Sequence, residues 1–530
     1  MNVRVCILNF LLCITSVGGE NKIRPIGLED YLQRVLQYND QLQVQVIEYE
    51  VSQRAVTGAK GVFEPELVLS ADYQDTDRPN NSEEIRNLGG VQFFQQRQEL
   101  YSTAVEMLTE SGAQTRVGLD LRRINNNLQG FRLVNEEWST FFGLSFVQPL
   151  LRGAGKDATM LTMRVAALES DQAYQEFRRQ SMVILTGAEL AYWNLYYAQI
   201  QLRFSLDSLQ LGATLYQDSQ ARHEVGKATE LEVLEANVAV TNREANVSVA
   251  EQALTEAANV SLSFIGSYDY QIRALTPPEL DQPEMDLGHC VYQAQIFNPE
   301  YIVRERQIAI EGVRLKYALN QKRPSLNLRG SFGVTGLAES LSDSLSDVGN
   351  GSHPTWSLGL EFRLPLGGGK KAKSDHETAQ MRERQAKLQF SQLQTQLRSA
   401  MQNALQKVIS NRKNVESYRK AVNLNQVVLD TELERLKVGK VSNQVALEAE
   451  EKLSDARNLE LNNVILHQRA ILELHVLMGV VLENRGIDLS REELARRTSD
   501  IFDKFEMTDA EIEHFNRVTE DYNKAIPITQ

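Results

Sequence analysis

The chain has 530 residues, 42% hydrophobic, 7% aromatic and 24% charged, with only 12 prolines, which excludes a disordered or collagen-like polymer and leaves ample material for a core. Lysine and arginine number 56 against 70 acidic residues, a formal charge of -14, so a basic nucleic-acid binder is excluded too. No apolar run reaches the roughly 18 residues of a spanning helix, which rules out a polytopic helical membrane protein; a β-barrel stays open, because its alternating strands leave little trace in hydropathy.

Residues 1–19 read as an export signal. Arg4 gives a positive start, Val5 to Val17 form a short apolar core, and Ser16, Gly18 and Gly19 are small enough for cleavage. Cys13 follows the bulky Leu12, a poor site for lipid attachment, and removal of the segment leaves Cys290 as the sole cysteine. A helix is predicted from Leu28 to Gly58, then a strand with alternating apolar positions over Glu66 to Tyr73. A second strand runs from Ser139 to Val147, and a glycine turn follows at Gly153-Ala154-Gly155. A very long helix comes next, then a turn at Val225-Gly226-Lys227 and a shorter helix ending near Gly266. After a proline-containing linker, 267–286, the same order returns. It comprises a helix from Leu287 to Gln321, strands at Ser325 to Phe332 and Thr355 to Leu364, and a turn at Gly367-Gly368-Gly369. The helix from Lys370 to Lys437 has 68 residues, about 100 Å of rod at 1.5 Å per residue. Its apolar residues fall at three- and four-residue steps (Leu393, Leu397, Met401, Leu405, Val408), a stripe for packing against other helices. Residues 483–530 read as a charged tail, a short helix with a loose end, solvated and with no special role.

The return is an internal duplication, residues 20–266 and 287–482. Val225-Gly226-Lys227 maps onto Val438-Gly439-Lys440 with a shift of 213, as do Leu234-Glu235-Ala236 onto Leu447-Glu448-Ala449 and Gly266 onto Gly479. Asn39 and Pro65 map onto Asn298 and Pro324 with a shift of 259. Pro65 lies 84 residues before Pro149, whereas Pro324 lies 41 before Pro365, so the first half holds 43 extra residues between Gln74 and Ser139. That insertion has room for a hairpin, Tyr101 to Leu108 with Gln114 to Arg122, either joined to the sheet or standing apart from it.

Two strands per half make four per chain, too few to close a barrel. Either they belong to a soluble sheet or several chains pool them; three chains of four would give twelve. The paired Val-Gly-Lys turns, the Leu-Glu-Ala segments nine residues on, the repeated Gly-x-x-Phe-x-x-Pro-Leu strand ends and the terminal Gly266 and Gly479 together resemble the TolC-like outer membrane efflux proteins, over nearly all of Ile26 to Val481. The resemblance implies an α+β, mainly α fold: duplicated helical hairpins forming a trimeric periplasmic α-barrel, with four strands per chain in a 12-stranded outer membrane β-barrel. It implies a homotrimer in the outer membrane of a Gram-negative-type cell, seated in outer membrane lipid, docked to a periplasmic adaptor and an inner membrane pump of an efflux or type I secretion system. It makes Val225, Gly226, Lys227, Ala228 and Thr229, with Val438, Gly439, Lys440, Val441 and Ser442, the adaptor-contacting tips. It also places a constricting gate at Glu232, Glu235, Val445 and Glu448, where Val445 departs from the acidic pattern.

Catalytic motifs are not found. Gly153-Ala154-Gly155-Lys156-Asp157 mimics a phosphate loop, but Leu150 stands at the first Walker glycine and Asp157 at the Ser/Thr, so it reads as a strand-to-helix turn. His467 and His475 are too far apart for a helical metal pair, and no cofactor, metal or nucleic acid is expected. Two rivals stand beside the exit duct. A periplasmic adaptor would have one hairpin rather than two, and a coiled-coil scaffold would leave the amphipathic strand pairs unexplained.

Overall fold

A computed structural model describes residues 23–127, 136–266, 271–278 and 286–504; the expected export signal and both its cysteines lie outside them. In chain order these residues form β1 (Ile23–Ile26), α1 (Leu28–Tyr38), α2 (Asp40–Lys60), β2 (Glu66–Pro79), α3 (Ser82–Asn87), β3 (Phe93–Leu108), β4 (Gln114–Asn126), β5 (Glu137–Pro149), α4 (Lys156–Thr159), α5 (Leu161–Glu224), α6 (Glu230–Ser263), β6 (Gln271–Ala274), α7 (Leu287–Phe297), α8 (Pro299–Gln321), β7 (Ser325–Ala338), α9 (Leu341–Gly349), β8 (Pro354–Arg363), α10 (Lys370–Lys437), α11 (Asn443–Met478), α12 (Val481–Asn484) and α13 (Arg491–Lys504). The proline-free stretches become α5 and α10, of 64 and 68 residues. The chain divides into two compact units: residues up to Glu50, Tyr174–Val303 and from Gln392 in one, Val51–Ala173 and Arg304–Ser391 in the other.

The first unit is helical. Its main core gathers Tyr31, Val35, Met182, Leu185, Tyr192, Leu195, Leu262 and Leu494. The Tyr192 hydroxyl donates to the Ile26 carbonyl (3.0 Å) and accepts from the amides of Leu275 and Thr276 (3.0 and 2.9 Å). It thereby fastens β1 and β6, which pair in parallel. The stretch expected to be a linker thus contributes a strand.

Each predicted first helix is in fact two, broken at an asparagine for a reason the duplication repeats. Asn39 Oδ1 accepts from the Leu42 amide (3.1 Å) while Nδ2 donates to the Phe264 carbonyl (3.0 Å). Asn298 Oδ1 accepts from the Tyr301 amide (3.0 Å) while Nδ2 donates to the Leu477 carbonyl (2.9 Å). The side chain caps one helix and satisfies the orphan carbonyl at the end of another, two groups that helix termini leave unpaired. The expected solvated tail is also corrected. Leu489, Leu494 and Ile501 enter the core, and Arg497 donates to the Leu36 carbonyl (3.3 Å), because α13 carries apolar residues on one face only.

The second unit is built on one antiparallel sheet in the order β2-β3-β4-β5-β7-β8. It has six strands rather than the expected four, because the insertion forms β3 and β4, which pair with β2 through Phe93 to Glu106 and with β5 through Gln114 to Ile124. The first β-strand of the chain's duplication runs on to Pro79, well beyond its expected end at Tyr73, to meet β3.

Candidate functional site

Register decides what the sheet can do. Leu67 lies opposite Val105, Val105 opposite Val117, Val117 opposite Leu144, Leu144 opposite Phe332, and Phe332 opposite Trp356. Side chains directly opposite share a face, so these six form one row across all six strands. All six are exposed, from 43% at Leu144 to 73% at Trp356. The neighbouring rows on that face add Leu69, Leu119, Phe142, Val334, Phe146, Leu358 and Leu360.

The opposite face is mostly small or polar, with Leu100, Ile124, Phe141 and Leu337 among its larger apolar members. Behind the apolar row stand Val68, Ala104, Gly118, Gly143, Gly333 and Thr355. Beside them Arg116 pairs with Asp120 (2.6 Å) and Glu106 (3.5 Å), Ser102 donates to Asp120 (2.6 Å), and Arg329 pairs with Glu361. An apolar expanse of this extent exceeds what a water-soluble surface ordinarily shows. The alternation of apolar and polar faces is that of a membrane wall.

The apolar band has a defined limit at the end where β5 begins. There Arg97 pairs with Asp75 (3.6 Å), and Arg123 pairs with Glu99 (3.3 Å) and Glu136 (2.6 Å) while lying 5.6 Å over the Trp138 ring. On the β7 side α9 lies on the same face: Ser344 Oγ donates to Thr140 Oγ1 (2.8 Å), and a Cβ on Gly336 would stand 2.0 Å from the Ser344 carbonyl oxygen. The glycine is what lets the helix lie so close.

The two expected tips, both in the helical unit, have the same construction. Gly226 (φ +72°) donates to the His223 carbonyl (2.9 Å) and Lys227 to that of Arg222 (2.8 Å). Gly439 (φ +68°) donates to the Leu436 carbonyl (2.9 Å) and Lys440 to that of Arg435 (2.9 Å). Each is a Schellman C-cap, in which a left-handed residue lets two amides close the last carbonyls of the helix. Val225, Lys227, Thr229, Val438, Lys440 and Ser442 are exposed, Ala228 is half-buried, and Val441 packs against Leu215, Leu436 and Ala446. Thr229 Oγ1 accepts from the Glu232 amide (3.2 Å), whereas Ser442 makes no such cap.

Of the expected gate residues, Glu235, Val445 and Glu448 are exposed within the first two turns of α6 and α11, and Glu232 is half-buried. Glu448 accepts from Gln444 (3.2 Å). Sequence reasoning missed the ion pair that joins the two hairpins: Arg243 Nη2 to Glu450 Oε2, 2.5 Å, at 12% and 8% side-chain exposure. Arg243 also donates to Ser208 (3.1 Å) and the Ala239 carbonyl (3.1 Å), and Gly212 leaves it room, since a Cβ there would stand 2.9 Å from Arg243 Cδ. Nor is Asn443 repeated: its buried Nδ2 donates to the Leu215 carbonyl (3.0 Å), while the matching position holds Glu230. The phosphate-loop mimic is a turn whose amides are taken. Gly153 donates to Asn320 Oδ1 (2.7 Å), Gly155 to the Ser111 carbonyl (3.0 Å), and Lys156 pairs with Glu110 (2.7 Å). Among the described residues no helix is long and apolar enough to cross a membrane, and no three His, Cys, Asp or Glu converge as metal ligands.

No protein-family model matches the chain, and no curated protein matches its sequence. Solved structures do. A membrane protein from Pseudomonas aeruginosa superposes with a TM-score of 0.61 at 15% identity, covering 85% of this chain and 90% of its own. The CmeC outer membrane channel of Campylobacter jejuni gives 0.60 at 14%, covering 89% of each chain. The MtrE outer membrane channel of Neisseria gonorrhoeae, in its open state, gives 0.58 at 14%, covering 85% and 88%. The fold is TolC-like. At such identities the likeness lies in the course of the backbone, long helices together with one sheet, and the residues that build the faces and turns above are this chain's own.

Proposed function

We propose that the protein is a passive exit duct of an outer membrane, in which copies of the chain pool their strands into a closed barrel. The observation that carries this reading is the two-faced sheet. Its exposed apolar row meets lipid at no cost, while in water it would be a severe aggregation hazard. Its two edge strands, β2 and β8, end the sheet with unpaired backbone groups, which hydrocarbon does not tolerate, so the edges must pair between copies. The TolC-like fold favours a threefold assembly. Both rivals lose ground: an adaptor or a soluble scaffold has no use for an exposed row of six large apolar side chains.

The finer roles follow the same reading. The exposed Val-Gly-Lys tips are adaptor contacts of an efflux or type I secretion system, with an inner membrane pump supplying the energy. Glu232, Glu235 and Glu448, repeated by symmetry, make an acidic ring that favours cations and resists closure. Membrane fractionation tests the duct. The expected result is a detergent-requiring oligomer in the outer membrane; a monomer soluble without detergent would end this reading. Replacing the three glutamates by alanine is expected to lower cation preference in planar bilayers, and unchanged selectivity would remove the gate from the proposal.

A further inference from the structure

The inserted hairpin has a consequence for the size of the duct. β3 and β4 have 16 and 13 residues, and the other four strands of the sheet have 14, 13, 14 and 10. Each meets the roughly 9–11 residues that a tilted strand needs to cross a bilayer. The hairpin also keeps the face parity of the rest. Val105 and Val117 stand in the same row as Leu67, Leu144, Phe332 and Trp356, and Arg116 and Asp120 stand on the polar side. A hairpin lying outside the membrane would have no reason to continue both faces in register. Six is moreover an even number of antiparallel strands. It leaves β2 and β8 running in opposite directions, so β8 of one copy pairs with β2 of the next and the alternation continues around a ring.

We infer that β3 and β4 belong to the lipid-facing wall, so that three copies close an eighteen-stranded barrel, lined by the polar face and sealed where β8 of each copy meets β2 of a second copy. The inference rests on the exit-duct reading and on its threefold assembly. With strands ~4.8 Å apart and tilted ~40°, eighteen strands close at a backbone diameter of ~36 Å, against ~24 Å for twelve. The outer opening is therefore about 1.5 times as wide as four strands per chain would give.

The test is collision accessibility of spin labels in the full-length protein reconstituted in phospholipid vesicles. Single cysteines are placed at Val105 and Val117 on the hairpin, at Leu144 and Phe332 as reference, and at Ser102 and Glu106 for the polar face, in a background without the native cysteines. The expected result is preferential relaxation by oxygen, which concentrates in lipid, at Val105, Val117, Leu144 and Phe332 alike, and by a water-soluble nickel chelate at Ser102 and Glu106. Water access at Val105 and Val117 with lipid access at Leu144 and Phe332 would overturn the inference and leave the duct standing. Water access at all four apolar positions would overturn both. End-on electron micrographs with a particle mass give a second measurement. Three copies around a ring ~36 Å across support eighteen strands; two copies, or a ring ~24 Å across, refute them.

Discussion

The two halves of the duplication agree at their helix ends and disagree between them. Both Val-Gly-Lys turns close by the same pair of backbone bonds, and Asn39 and Asn298 clamp equivalent carbonyls with equivalent geometry. The polar groups buried between the hairpins are not shared. Arg243 has Ala456 as its counterpart, and Glu450 has Asn237. Chain termination is a local problem with one good solution, used twice. The seam between two non-identical hairpins has no such template, and specific pairs fix it.

The largest expected effect lies in that seam. Glu450→Ala leaves Arg243 buried without its carboxylate and should destabilise the helical unit by about 3–5 kcal/mol. Replacing both, Arg243→Met with Glu450→Leu, should recover most of that loss, since the desolvation of both charges disappears along with their attraction. Thermal unfolding followed by far-ultraviolet circular dichroism reads both. A double variant as unstable as the single one would mean that the pair is replaceable only by itself.

The second effect sets the halves against each other at their terminal glycines. Gly266 and Gly479 both have positive φ, +67° and +78°. A Cβ at Gly266 would stand 3.5 Å from the Tyr38 carbonyl oxygen, an ordinary contact, whereas at Gly479 it would stand 2.5 Å from the Phe297 carbonyl and the Asn298 amide. Gly266→Ala should therefore cost about 1–2 kcal/mol for the left-handed backbone alone. Gly479→Ala should cost a further roughly 1–3 kcal/mol for the overlap. Equal losses would show that the closer packing of the second half is relieved by a small shift.

The third effect is a pH dependence from His475, whose counterpart in the first half is Leu262. Burial, reinforced by the nearby Arg485, pushes His475 down to about 4 from an ordinary 6.5. The unfolded chain then binds the proton more readily than the folded one, so stability is complete above about pH 6.5 and is lost as pH falls toward 4, by at most about 3 kcal/mol. Glu189, which pairs with Arg485, acts with the opposite sign: burial holds its carboxyl above the usual range, against the lowering by Arg485. His475→Gln isolates the histidine. The variant should lose the slope between pH 6.5 and 4 in denaturant titrations, and a slope that survives belongs to other groups.

Much of this was legible in the sequence because it depends on local chemistry. The absence of proline and the scarcity of glycine marked α5 and α10, and the shift between Val-Gly-Lys segments located both turns. The strand count was not legible. Tyr101 to Leu108 and Gln114 to Arg122 showed the alternation, but membership of the sheet depends on what lies opposite. Only the register sets Val105 between Leu67 and Val117 and gives the hairpin a lipid-type face. Arg243 and Glu450 were hidden for the same reason: they lie 207 positions apart, and neither is repeated. Asn39 and Asn298 were visible as a match, yet the helix break each makes depends on a carbonyl supplied from more than 170 residues away.

The smallest effect is also the sharpest check on the symmetry of the two tips. Thr229 and Ser442 occupy matching positions with matching backbone, φ -86° and -85°, at the N-termini of α6 and α11. Only Thr229 turns its hydroxyl onto an amide, that of Glu232 at 3.2 Å. The Asn443 side chain that follows Ser442 is instead committed to Leu215 and Ser219, which holds the start of α11 by packing rather than by a cap. Thr229→Ala should thus cost about 1 kcal/mol and fray the first turn of α6, on which Glu232 sits. Ser442→Ala should leave stability unchanged. Hydrogen exchange at the first-turn amides of each helix reads the difference directly, with faster exchange expected at Glu232 in the first variant and no change at Val445 in the second. Equal protection loss at both tips would mean that Ser442 caps its helix in solution and that the two turns are equivalent after all.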